Sequence, residues 1–103
     1  MALGKPAIAT AYSGNMDFTN EANAYLVQFD LTELQEDFSV YPKGSVWAEP
    51  RMDEAVAQMR SVAFDGAGRE RTALTAQEFI GRHFAPGVGG DVIRGRMEHF
   101  ATL

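Results

Sequence analysis

The stretch from Gly4 to Phe18, GKPAIATAYSGNMDF, constrains the fold more tightly than any other part of the chain. Pro6 bars a helix before it and fixes an extended entry, and Ala7 to Thr10 form a short apolar run. Ser13-Gly14-Asn15 then lets the backbone turn sharply with its N–H groups outward. The order is a buried strand, a turn of small residues and a helix start. That geometry suits phosphate, because a helix N-terminus offers unpaired N–H groups and a favourable dipole.

In an open α/β sheet, ligands gather beyond the carboxyl ends of the strands. Ser13, Gly14, Asn15 and Met16 are the positions where diphosphate-binding amides would lie, with Asp17 as a further contact. Gly14 lacks the Cβ that would block close approach, and the Ser13 hydroxyl can donate to a phosphate oxygen. The same residues also fit a purely structural turn, in which Asn15 or Asp17 caps the helix start.

Near Pro50 the chain divides into a strand-and-loop half and a helical half. The first half predicts strands over Ala7 to Thr10 and Ala24 to Phe29, with a helical turn at Asn15 to Asn20 between them. Residues 30–46 read as a long connection without clear periodicity, a kind of segment that in compact domains is usually functional or disordered. The second half predicts three helices. Their stripes are Met52, Ala55, Val56, Met59 and Val62; then Ala73, Ala76, Ile80 and Phe84; then Val92, Ile93, Met97 and Phe100. Asp65-Gly66 and Ala85-Pro86-Gly87 punctuate them, and each face calls for a sheet to cover.

A chain of 103 residues makes one domain at most, residues 1–103, and buries roughly 65% of its unfolded surface. The net charge of −5 argues against nucleic acid, and the basic residues alternate with acids rather than forming a stripe. Arg69 and Arg71 flank Glu70, and Arg94 and Arg96 stand near Asp91 and Glu98. Cysteine is absent, which removes disulfides, thiolate metal sites and a cysteine nucleophile. No run approaches a membrane span or a signal peptide, and a cytoplasmic location is expected.

Other motifs weigh little. Gly4-Lys5-Pro6 lacks the upstream glycine and the following Ser or Thr of a phosphate-binding Walker loop. Gly87-Val88-Gly89-Gly90 has no strand before it and fails as a dinucleotide fingerprint. His83 and His99 stand alone without metal-ligand spacing, so neither a metal nor another cofactor is expected. Trp47 and Tyr41 read as aromatics that anchor a loop, although such rings also stack on nucleobases or sugars.

The Gly4 to Phe18 stretch resembles the nucleotide-sugar site of group 1, family 4 type glycosyltransferases, where it follows a Glu-Ala-Met. The resemblance runs along most of the chain. Tyr25-Leu26-Val27 is similar to a family strand, Tyr41 to Pro50 to its YPxGxxWAEPD loop, Asp53 to Arg60 to the helix after it, and His83 to Met97 to its closing segment. Ala85 stands where the family usually has a helix-capping Ser.

The resemblance implies a piece of a Rossmann-like GT-B C-terminal domain, an α/β arrangement of two to three short parallel strands with about three to four helices. It implies a nucleotide sugar or nucleoside diphosphate, weakly held, as ligand. It covers only the last part of that domain, and the family's signature glutamates would lie before Met1. The acceptor domain and the basic residues that neutralise the leaving diphosphate are also outside the match. The isolated chain is therefore expected to be inactive as a transferase, since those groups position the acceptor and stabilise the departing charge. An apolar strand edge without its neighbour is expected to drive homo-oligomerisation or pairing with a missing transferase half. The other reading is a non-enzymatic remnant or interaction module that self-associates.

Overall fold

The computed structural model describes residues 1–103, Met1 to Leu103, and is mixed α/β. β1 (Ile8–Thr10) leads into a short 3-10 helix (Ser13–Asp17), then β2 (Tyr25–Val27), β3 (Phe29–Glu33) and β4 (Val46–Pro50). Three helices complete the chain: α1 (Met52–Phe64), α2 (Gly66–His83) and α3 (Pro86–Ala101).

β1 and β2 pair in parallel, with Ile8 opposite Tyr25 and Thr10 opposite Val27. β3 and β4 form a separate antiparallel hairpin, Phe29 opposite Pro50 and Glu33 opposite Val46. Two of the sequence expectations change here. The strand expected over Ala24 to Phe29 is broken at Gln28, and beside the two parallel strands, a number within the expected two to three, stands an antiparallel pair. The cause is the backbone of Gln28, whose N–H donates to Glu54 Oε2 at 2.9 Å while its carbonyl accepts from the Arg51 N–H at 2.8 Å. Both bonds tie the strand to the start of α1, so the chain leaves one sheet and enters the other.

The connection expected over residues 30–46 is also shorter than the sequence suggests, because residues 30–33 belong to β3. That strand hides from a periodicity reading because no face of it is buried: Leu31 is as open as its polar neighbours Asp30 and Thr32. Its register comes from backbone pairing with β4. Within the remaining loop, Phe38 bridges Tyr41 and its ring packs against Trp47 with centroids 5.6 Å apart. Trp47 lies in β4 and anchors the loop, as expected of a loop aromatic.

The core is small, made of Ala24, Leu26, Val27, Leu34, Ala73 and Ala76, with Thr19 and Asn23 buried beside them. The α2 stripe is covered at Ala73 and Ala76, whereas α1 and α3 contribute no fully buried residue. The α3 stripe expected to pack on a sheet lies open along its length. No strand of either sheet reaches it, since both sheets are only two strands wide. The Cα radius of gyration is 18.3 Å, against about 13 Å for a compact chain of this length.

The α1–α2 corner is held by two side chains. Asp65 accepts from the Gly68 N–H at 2.9 Å, capping α2. Arg69 donates to the Val62 carbonyl at 2.6 Å, satisfying an orphan acceptor at the end of α1. No helix is long and apolar enough to cross a membrane.

Candidate functional site

The turn after β1 is built from the Thr10 carbonyl outward. The Tyr12 N–H donates to it at 2.7 Å and the Asn15 side-chain amide at 2.6 Å, while the Ala11 N–H reaches across to the Val27 carbonyl at 2.9 Å. The carboxyl end of β1 is thus pinned from both sides. The Tyr12 ring meets Phe29 edge-on with centroids 4.9 Å apart, joining the turn to the hairpin.

Ser13 adopts φ +62°, a left-handed conformation that favours glycine and costs a serine of order 1 kcal/mol or more. It swings the chain into the short 3-10 helix. Neither the Ser13 N–H nor the Gly14 N–H has an acceptor within the chain, and both residues are exposed. Tyr12, at the N-cap position, makes no side-chain cap bond. The structural alternative, a turn capped by Asn15 or Asp17, is therefore not what forms. Asn15 bonds backward to the strand, and the Asp17 carboxylate is exposed with no hydrogen bond or ion pair.

Gly14 has no positive φ, and a Cβ built on it meets nothing within 4 Å. Nothing inside the chain requires a glycine there. Met16 is half-exposed, with its sulfur 3.8 Å from the Thr19 hydroxyl. The structure thus brings Ser13, Gly14, Asn15, Met16 and Asp17 into one exposed turn at the end of a parallel strand, and gives Asn15 a holding role.

Residues that the sequence reading passed over support this turn from below. The Thr19 hydroxyl donates to the Asn15 carbonyl at 2.6 Å. Asn23 accepts from the Asn20 N–H at 2.8 Å and donates to the Phe18 carbonyl at 3.2 Å, while Asn20 accepts from the Ala22 N–H at 2.9 Å. Both Thr19 and Asn23 are buried, and their bonds satisfy backbone groups of the turn. The signal lay in the Asn20 to Asn23 spacing, since asparagine side chains close turns on their own backbone.

The electrostatics limit the site. Between Lys5 and Arg51 the only cationic residue is Lys43, and Asp17 brings a carboxylate to the turn itself. Lys5 lies at the opposite end of β1, where it is exposed and lines a groove of about 360 Å³ with Arg69, Glu70 and Gln77. His83 packs against Phe79 with ring centroids 4.6 Å apart, and the chain holds no group of three His, Asp or Glu residues placed for a metal ion. The turn has the donors for a phosphate and lacks the cations to neutralise one.

No protein-family model matches the chain, and no curated protein or solved structure matches it.

Proposed function

We propose that the chain carries the donor-diphosphate element of a family 4 type glycosyltransferase, with β1, β2 and the Ser13–Asp17 turn as a piece of a Rossmann-like GT-B C-terminal domain. One observation carries this reading: the Ser13 and Gly14 amides stand unpaired at the carboxyl end of a parallel strand. The residue resemblance supplies the ligand class, a nucleoside diphosphate or nucleotide sugar in the cytoplasm.

A hydrogen bond to a charged phosphate oxygen contributes about 1.5–3 kcal/mol. Two amides therefore supply about 3–6 kcal/mol, a range that brackets the roughly 4 kcal/mol of millimolar binding, and no cation stands in the turn to add to it. Catalysis of transfer by these residues alone does not follow. Acceptor positioning and stabilisation of the leaving diphosphate require groups from outside residues 1–103. The non-enzymatic reading, a module that self-associates, rests on a different observation, the bare face of α3.

The test is an amide-resolved NMR titration with UDP, GDP and ADP on the native chain and on Gly14→Ala. Saturable shifts confined to Ser13 through Phe18 are expected in the native chain and are lost in Gly14→Ala. A Cβ there meets nothing inside the chain, so the variant keeps its fold and alters only what approaches from outside. A folded native chain whose turn does not respond to any of the three nucleotides overturns the proposal.

A further inference from the structure

We propose that the groove between the β3–β4 hairpin and the loop joining its strands binds a quaternary ammonium cation of the choline type, with Phe38 and Trp47 as its aromatic walls. The site does not depend on the reading of the Ser13–Asp17 turn.

Cross-strand pairing fixes its floor. Residues directly opposite in an antiparallel pair share a face, so Thr32 and Trp47, with Asp30 and Glu49 as the next pair but one along the ladder, stand together on one side of the hairpin. Phe29 and Leu31, and with them the Tyr12 contact, belong to the other side. The Phe38–Tyr41 bridge folds the loop so that the Phe38 ring reaches Trp47, with centroids 5.6 Å apart and planes at 68°. Rings at that angle make a corner and not a stack. Neither ring is sealed off, since Phe38 is 57% exposed and Trp47 is half-buried. The corner opens on a groove of about 350 Å³ that Thr32, Glu33, Glu36 and Glu49 also line.

The charge around the corner is of one sign. No Lys or Arg lines the groove, and Glu33, Glu36 and Glu49 take part in no ion pair. Arg51, two residues after Glu49, is already held by Asp30 and Glu54. The aromatic walls therefore stand within an unneutralised negative rim.

An aromatic face attracts a cation through its ring quadrupole, and the attraction grows as the cation loses its water. A lysine-type ammonium is compact and strongly hydrated, so in an open groove it stays with water and carboxylates. A quaternary ammonium has no N–H to satisfy and presents methyl groups to the rings. The rim then selects within that class. An anion attached near the cation, as in a betaine, or the phosphates of a nucleotide, would face the three glutamates and is disfavoured by like charge. The ligand is a cation with a neutral tail, of which choline is the simplest.

Trp47 is the one tryptophan of the chain, so its fluorescence reads the corner directly. Choline titrated into the full chain at constant ionic strength is expected to change the Trp47 emission saturably, at about millimolar concentration. The neutral carbon isostere of choline and glycine betaine are each expected to bind about tenfold more weakly. Phe38→Leu is expected to weaken choline binding about fivefold or more. Replacing Glu33, Glu36 and Glu49 by Gln is expected to weaken it as well and to narrow the preference for choline over betaine, a change that a structural role of the glutamates would not produce. All four side chains are exposed, and an amide spectrum unchanged outside residues 30–50 shows that each variant keeps its fold. The proposal is overturned by an emission that does not respond to choline, by an equal response to the neutral isostere, or by a folded Phe38→Leu that binds choline as the native chain does.

Discussion

The Asn15 side-chain amide donates to the Thr10 carbonyl at 2.6 Å, fastening the turn to the last residue of the strand it follows. The bond reaches back over the one residue, Ser13, that the turn holds in a left-handed conformation. Removing it in Asn15→Ala is expected to cost about 1 kcal/mol, the net worth of an ordinary hydrogen bond, since Thr10 keeps its bond from the Tyr12 N–H. Asn15→Asp is expected to cost more, because a carboxylate then faces a carbonyl oxygen. Urea unfolding midpoints of the three proteins check the order.

Ser13 itself carries the strain of that turn. With φ at +62°, Ser13→Gly relieves a backbone penalty while adding freedom to the unfolded chain, and a net gain of about 0.5–1 kcal/mol is expected. The hydroxyl is lost in the same step, so the variant is expected to be more stable and to bind nucleotide no better. Thermal unfolding and the nucleotide titration, run on one sample, read both effects.

The legible parts of the fold were those in which a residue type forces a backbone state. Pro6 and the apolar run after it announced β1, and Asp65-Gly66 and Pro86 marked the helix breaks. All three helices formed where their stripes predicted, because spacing reports helix formation. Spacing does not report what a stripe packs on, and the α3 stripe is bare although its pattern resembles that of α2. β3 was illegible for the opposite reason: with both faces open, its residues had no need to alternate. The candidate site residues Ser13 to Asp17 were visible as a turn, but the backward bond of Asn15 and the buried Thr19 and Asn23 beneath it depend on tertiary placement.

Where the hairpin meets α1, Arg51 grips Asp30 through two bonds, Nε at 3.1 Å and Nη2 at 3.0 Å. Those hydrogen bonds, with the guanidinium charge behind them, hold the Asp30 carboxyl below its ordinary value of 3.8. A carboxyl depressed on folding contributes stability that is whole above 3.8 and is lost as pH falls through its lower native value. Arg51→Met is expected to return the Asp30 titration to the ordinary range, read from its side-chain carboxyl carbon shift. Because both groups are well exposed, the effect on unfolding at neutral pH is expected to be small.

The α1–α2 corner gives a prediction whose sign depends on a neighbour. Gly68 is the third residue of α2, its N–H held by Asp65, and a Cβ built on it collides with the Asp65 carboxylate. Alanine is favoured over glycine in a helix by about 1 kcal/mol, so the backbone alone would make Gly68→Ala stabilising. In this chain the new methyl must push Asp65 off its cap, whose loss costs about 1 kcal/mol, and must also find room at a buried position. Gly68→Ala is therefore expected to destabilise the native protein. In an Asp65→Ala background the cap is already gone and the obstruction with it, so the same change is expected to stabilise by up to about 1 kcal/mol. The four unfolding free energies of that cycle decide the matter, and equal effects of Gly68→Ala in both backgrounds would show that Asp65 does not set the requirement for glycine.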